Sequence, residues 1–136
     1  MEKVILFVLT IFLIPLAKAE IVSLECKGKN LISNYEVVDD DTEVTRMVNI
    51  DLENKVLESS HRDGENLARF SDIDIKPSII KAKDWTLYRA GIFPYWYEIE
   101  ISRQTLDWSS VTIGKDFKAI YRVEGKCELI QTENKF

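Results

Sequence analysis

The sequence predicts an all-β protein, a single antiparallel meander closing into a small β-barrel with its ends tied by one disulfide. Three observations predict this. Apolar residues recur with a period of two along most of the chain. Short turn signals punctuate it, among them Glu53-Asn54-Lys55, Ala90-Gly91, Arg103-Gln104-Thr105 and Gly114-Lys115-Asp116. The only two cysteines, Cys26 and Cys127, stand near the two ends of the part that alternates. A two-sheet β-sandwich would carry the same alternation and is the alternative architecture.

The first nineteen residues follow a different rule. Lys3 is followed by the apolar run Val4 to Ile14, then by Pro15 and by Ala17-Lys18-Ala19. A basic start, a short apolar core and a small-x-small site are the features of a secretory signal peptide. The run is short for a membrane span of about 20 residues. Cleavage after Ala19 is expected, leaving Glu20 to Phe136 as a single β-domain of 117 residues with no further membrane span. That length suffices for a core of its own. Losing Glu2, Lys3 and Lys18 takes the formal charge from −5 to −6. An acidic surface disfavours nucleic acid and anionic membranes, which are bound through Lys and Arg. A monomer in the periplasm or the secreted medium is expected.

The strands follow in order. Val22, Leu24 and Cys26 alternate with Ser23, Glu25 and Lys27. Val48, Ile50 and Leu52 alternate with Met47, Asn49 and Asp51; a turn follows at 53–55 and Val56-Leu57 begins the return, giving a hairpin. Residues 61–66 form a polar loop, and a helical turn is possible over Asn66 to Arg69. Ile73 and Ile75 make a strand that Pro77 ends, and the next runs from Ile79-Ile80 through Trp85, Leu87 and Arg89. The strongest strand is Phe93 to Ile101, with Phe93, Tyr95, Tyr97, Ile99 and Ile101 on the core side and Trp96, Glu98, Glu100 and Ser102 on the other. Leu106 to Val111 returns. In the last strand Phe117, Ala119, Tyr121, Val123, Cys127 and Leu129 share a parity.

Both cysteines fall on apolar faces, which favours one buried disulfide between the first and last strands in an oxidising compartment. Closing a loop of about 100 residues would contribute roughly 4–5 kcal/mol at most. A redox pair fits less well, because there is no C-x-x-C spacing. A metal site fits less well still: His61 is the only histidine.

No enzyme signature is present: no G-x-S-x-G, H-E-x-x-H, G-x-G-x-x-G or P-loop. His61 sits beside Arg62 and Asp63 and reads as a surface histidine. The acidic run Asp39-Asp40-Asp41, near Glu36 and Glu43, raises calcium as a possibility, but it lacks the EF-hand spacing and glycine, and solvated like charge is the plainer reading. No catalytic residue, metal or cofactor is expected. The candidate contact surface is Trp96 with Glu98 and Arg103. An outward tryptophan on an acidic strand face marks either a binding surface or a side chain covered by a loop, and the covered form is slightly favoured. Arg103, after Ile101, has the fork to tie backbone carbonyls as an anchor.

Four segments carry a resemblance: Leu24-Glu-Cys-Lys-Gly-Lys29, Val48 to Leu57, Ile101-Ser-Arg-Gln-Thr-Leu-Asp-Trp108, and Tyr121-Arg-Val-Glu-Gly-Lys-Cys127 with Lys135-Phe136. Together they resemble a family of small exported proteobacterial proteins of uncharacterised function. Its pattern has a Cys-x-Gly start, an Ile-Asp hairpin, an Ile-x-Arg-x-Thr-Gly hairpin and a late cysteine. Leu106 stands where that pattern often has glycine. The resemblance implies export and a β fold, and no catalytic residues to carry over. A more distant analogy is to the small β-barrel inhibitors of lysozyme, whose Ser-Gly-x-x-Tyr loop is absent here.

The expected function is therefore a non-enzymatic binding module of the cell envelope, with an envelope protein as partner. The alternatives are an inhibitor of an envelope-directed hydrolase such as lysozyme, and a lipocalin-like carrier of a small apolar ligand. The carrier needs an interior cavity lined by residues such as Phe93, Tyr97 and Tyr121.

Overall fold

The computed structural model describes residues 21–39, 41–61, 63–64, 66–84, 96–114 and 117–130. The segment read as a signal peptide lies outside them, as do Asp40, Trp85, Leu87, Arg89, Phe93 and Tyr95.

The described chain is all β. Its strands are β1 (Ile21–Ser33), β2 (Glu36–Val37), β3 (Glu43–Asp51), β4 (Val56–His61), β5 (Asn66–Ser71), β6 (Asp74–Ile75), β7 (Ile79–Asp84), β8 (Trp96–Ser102), β9 (Asp107–Ile113) and β10 (Ala119–Leu129). They form one antiparallel sheet in the order β5-β4-β3-β1-β10-β9-β8-β7-β6, with β2 paired to β1. This is a meander whose first and last long strands pair with each other, curled into a half-barrel. The sheet edges are β5 and β6, and the chain passes directly from one to the other through Asp72 and Ile73. The helical turn considered at Asn66–Arg69 is strand, because that segment pairs with β4, placing Ala68 opposite Ser59 and Phe70 opposite Leu57.

Alternation sets the core. Val22, Leu24, Cys26, Val48, Ile50, Leu57, Phe70, Ile80 and Ile101 are fully buried. The turns rest on local polar chemistry. Asn34 and Tyr35 both adopt positive φ between β1 and β2, the backbone that two-residue hairpins favour. Asp51 accepts the Asn54 backbone N–H at 3.0 Å and its side-chain amide at 2.8 Å. Ser102 Oγ accepts the N–H groups of Gln104 and Thr105 at 3.3 and 3.1 Å. Leu106 has φ 62°. Its backbone sits in the left-handed region, while its side chain packs against the core.

At the centre of the sheet, Cys26 and Cys127 are direct partners across the β1–β10 ladder and form the disulfide. Two residues on, Gly28 faces Gly125. A Cβ at Gly125 would collide with the Lys27 carbonyl oxygen, and one at Gly28 with that of Glu124. Trp108, the β9 partner of Gly125, is buried beside this pair. Its indole N–H donates to the Lys27 carbonyl at 3.1 Å.

The last strand departs from the expected parity. A bulge between Ala119 and Tyr121 breaks the register with β9. Tyr121 keeps the inward side opposite Thr112, whereas Ala119 pairs with the outward Ile113. Phe117 is 72% exposed instead of core-facing. A bulge adds one residue to one strand, so the alternation is reset across it.

Candidate functional site: a polar cavity inside the half-barrel

The inward face is not uniformly apolar. β3 carries Arg46 between Val44 and Val48, on the core parity. In register, Arg46 has Cys26 on one side and His61 on the other. From the opposite wall, β8 contributes Tyr97, β9 Ser110 and Thr112, and β10 Tyr121. Tyr97, Thr112 and Tyr121 form a lateral row across three strands. These groups enclose a cavity of about 180 Å³. Phe70, Ile99 and Val123 give it an apolar floor, and Ser59 and Asn30 add further polar groups.

Arg46 dominates the electrostatics. Its Nη1 donates to the Thr45 carbonyl at 3.1 Å. Among the described residues no carboxylate pairs with it. Desolvation pushes its guanidinium below the ordinary value, and Tyr97 across the cavity opposes that shift. A guanidinium stays protonated under such a shift. The cavity thus holds a half-buried positive charge with unused donor capacity, two phenols at its rim and hydroxyls along its wall.

The sequence expected Tyr97 in the core. It does share the core parity with Ile99 and Ile101, but it is 38% exposed at the cavity rim. Tyr121, named as a lining residue for a carrier, also lines the cavity and is exposed. Phe93, its companion in that expectation, lies outside the described residues.

Trp96, Glu98 and Arg103 lie elsewhere. Trp96 takes the outward parity, as expected, but is only 6% exposed. Phe117 packs against it edge-on at 5.5 Å, and its indole N–H donates to Glu98 at 3.0 Å. It is the covered tryptophan of the two readings. Glu98 also pairs with Lys83 at 3.4 Å. Arg103 sits at the other end of β8, where its backbone N–H donates to Ser78 and its Nη1 to the Lys76 carbonyl at 3.0 Å. It anchors the β8–β9 turn to the β6–β7 turn. Trp96 and Glu98 are therefore brought together, and Arg103 is not brought to them.

His61 ends β4 as the cross-strand partner of Arg46, rather than sitting in a loop. Asp41 pairs with Lys29 at 3.4 Å. Among the described residues no group of three or more His, Cys, Asp or Glu is placed to hold a metal ion. Nor is any helix there long and apolar enough to cross a membrane. A wider groove of about 710 Å³ lies over the outer face of β8 to β10. Its charges are already matched, Arg122 to Glu124 at 2.7 Å and Lys126 to Asp107 at 3.7 Å. Arg46 is not among the residues that sequence motifs single out; its one signal is a cation on an apolar parity.

No family model, curated protein or solved structure matches the chain.

Proposed function

We propose that this chain is an exported, non-enzymatic binding protein of the cell envelope that takes a small ligand inside its half-barrel. The observation that carries this reading is Arg46, half-buried in a cavity it shares with Tyr97 and Tyr121 and without a carboxylate partner among the described residues. A desolvated charge with spare donors is costly unless something pairs with it. A ligand with an acceptor group would pair with the donors that Arg46 leaves free. The buried disulfide is compatible with an oxidising compartment outside the cytosol.

The lining supports a polar or charged ligand over the wholly apolar one of a lipocalin-like carrier. At about 180 Å³ the cavity is smaller than the roughly 300–1,000 Å³ of pockets for drug-sized ligands, which restricts the proposed ligand to a smaller molecule. The test is native mass spectrometry of the protein isolated from its own exported compartment. A bound species of a few hundred daltons or less, lost in Arg46→Gln, is the expected result. A bare wild-type protein, or a co-purifying polypeptide in place of a small molecule, would contradict it.

A further inference from the structure

We propose that the cavity ligand is a small organic monocarboxylate, its carboxylate paired with Arg46 and its body packed on Phe70, Ile99 and Val123 between the two tyrosines. This rests on the reading that the cavity binds a small ligand, and it names the ligand's class.

Among the described residues that line the cavity, Arg46 is the one cation and none is a carboxylate. A single guanidinium matches one negative charge. Its planar fork presents parallel N–H donors that suit a carboxylate. One donor nitrogen, Nη1, is engaged by Thr45, which fixes the head while leaving the others for a ligand. A phosphate dianion would bring a second charge with no second cation to meet it. The floor is apolar and closed: Phe70 is 1% exposed, Ile99 5% and Val123 7%. A bare inorganic anion would leave that floor uncovered, whereas a carboxylate with a short apolar or aromatic body covers it. The hydroxyls of Ser59, Ser110 and Thr112 line the same space. They provide donors for the second carboxylate oxygen and acceptors for a polar substituent.

The experiment is an amide and arginine-Nε NMR titration of the disulfide-bonded protein with three probes: benzoate, its uncharged isostere benzamide, and inorganic phosphate. Benzoate should shift the Arg46 Nε–Hε signal and the amides of Tyr97, Thr112 and Tyr121 saturably. Benzamide and phosphate should bind at least tenfold more weakly. Arg46→Gln should weaken benzoate at least tenfold while the amides of Leu24 and Ile101 keep their positions, which shows the fold intact. Equal binding of benzoate and benzamide, or undiminished benzoate binding in Arg46→Gln, would overturn the carboxylate assignment and leave a small-ligand cavity standing. Phosphate binding as tightly as benzoate would overturn it too. If no probe moves the cavity residues, the carboxylate assignment falls, and native mass spectrometry still decides separately whether any small ligand is carried.

Discussion

Arg46 on β3 and Tyr97 on β8 line one cavity, although β1, β10 and β9 separate their strands in the sheet. Only the curl of the sheet brings them together. The cavity is therefore a tertiary product, and whatever sets the curl sets the site. The close approach of β1 and β10 at Gly28 and Gly125, with Trp108 against it, lies at the middle of that curl.

Gly125→Ala should destabilise the protein by about 2–4 kcal/mol, because its new Cβ meets backbone atoms that have nowhere to move. Urea unfolding measures this. A change of less than about 0.5 kcal/mol would mean that the two strands separate there at little cost.

Replacing both cysteines by alanine should lower stability by about 4 kcal/mol, near the upper end for a bond that closes so long a loop. The residues are 101 apart in sequence and fully or almost fully buried. Comparison of urea midpoints and slopes for the double variant and the oxidised parent reads the effect. A loss of under about 1 kcal/mol would show that the β1–β10 ladder holds without the bond.

Trp108→Phe keeps an aromatic ring and removes the donor to the Lys27 carbonyl. The expected cost is about 1–2 kcal/mol, from a lost hydrogen bond and a smaller ring. Thermal unfolding of the variant should show a lower midpoint with a native-like far-ultraviolet spectrum. An unchanged midpoint would remove Trp108 from the account of the curl.

Asp51 gives a pH dependence. The backbone and side-chain N–H groups of Asn54 hold its carboxyl below the usual carboxylate range. A group whose pKa is depressed by folding contributes stability above its unfolded value of about 3.9, and that contribution fades as pH falls through the folded value. The stability difference between the parent and Asp51→Ala should thus be greatest above about pH 5 and shrink toward about pH 2. A difference constant across that range would assign the effect to packing in the turn.

Much of the fold was legible in the residues because period-two alternation maps directly onto faces of a sheet. Val22, Leu24 and Cys26 read as inward and are buried. The pairing of Cys26 with Cys127 was legible from their parity and their place at the two ends. What alternation does not encode is how far along a strand the interior stays dry. Tyr97 and Ile101 share a parity, yet one lines a cavity rim and the other is fully buried. Nor does it register a bulge in advance: Phe117 shares the inward parity in the sequence but packs edge-on against Trp96 on the outer face. Arg46 was legible only as an exception, a charge among Val44, Val48 and Ile50. Its meaning depended on β8 and β10 arriving opposite it.

The most direct test of the central claim fills the cavity without touching Arg46. Ala68 lines the cavity wall and is half-buried. Native mass spectra of the wild type and of Ala68→Leu, each isolated from the cells that make it, should differ by the mass of a bound small molecule, present in the first and absent in the second, while the variant unfolds at or above the wild-type temperature. A bound species retained in full by the stably folded variant would contradict the assignment of this cavity as the binding site.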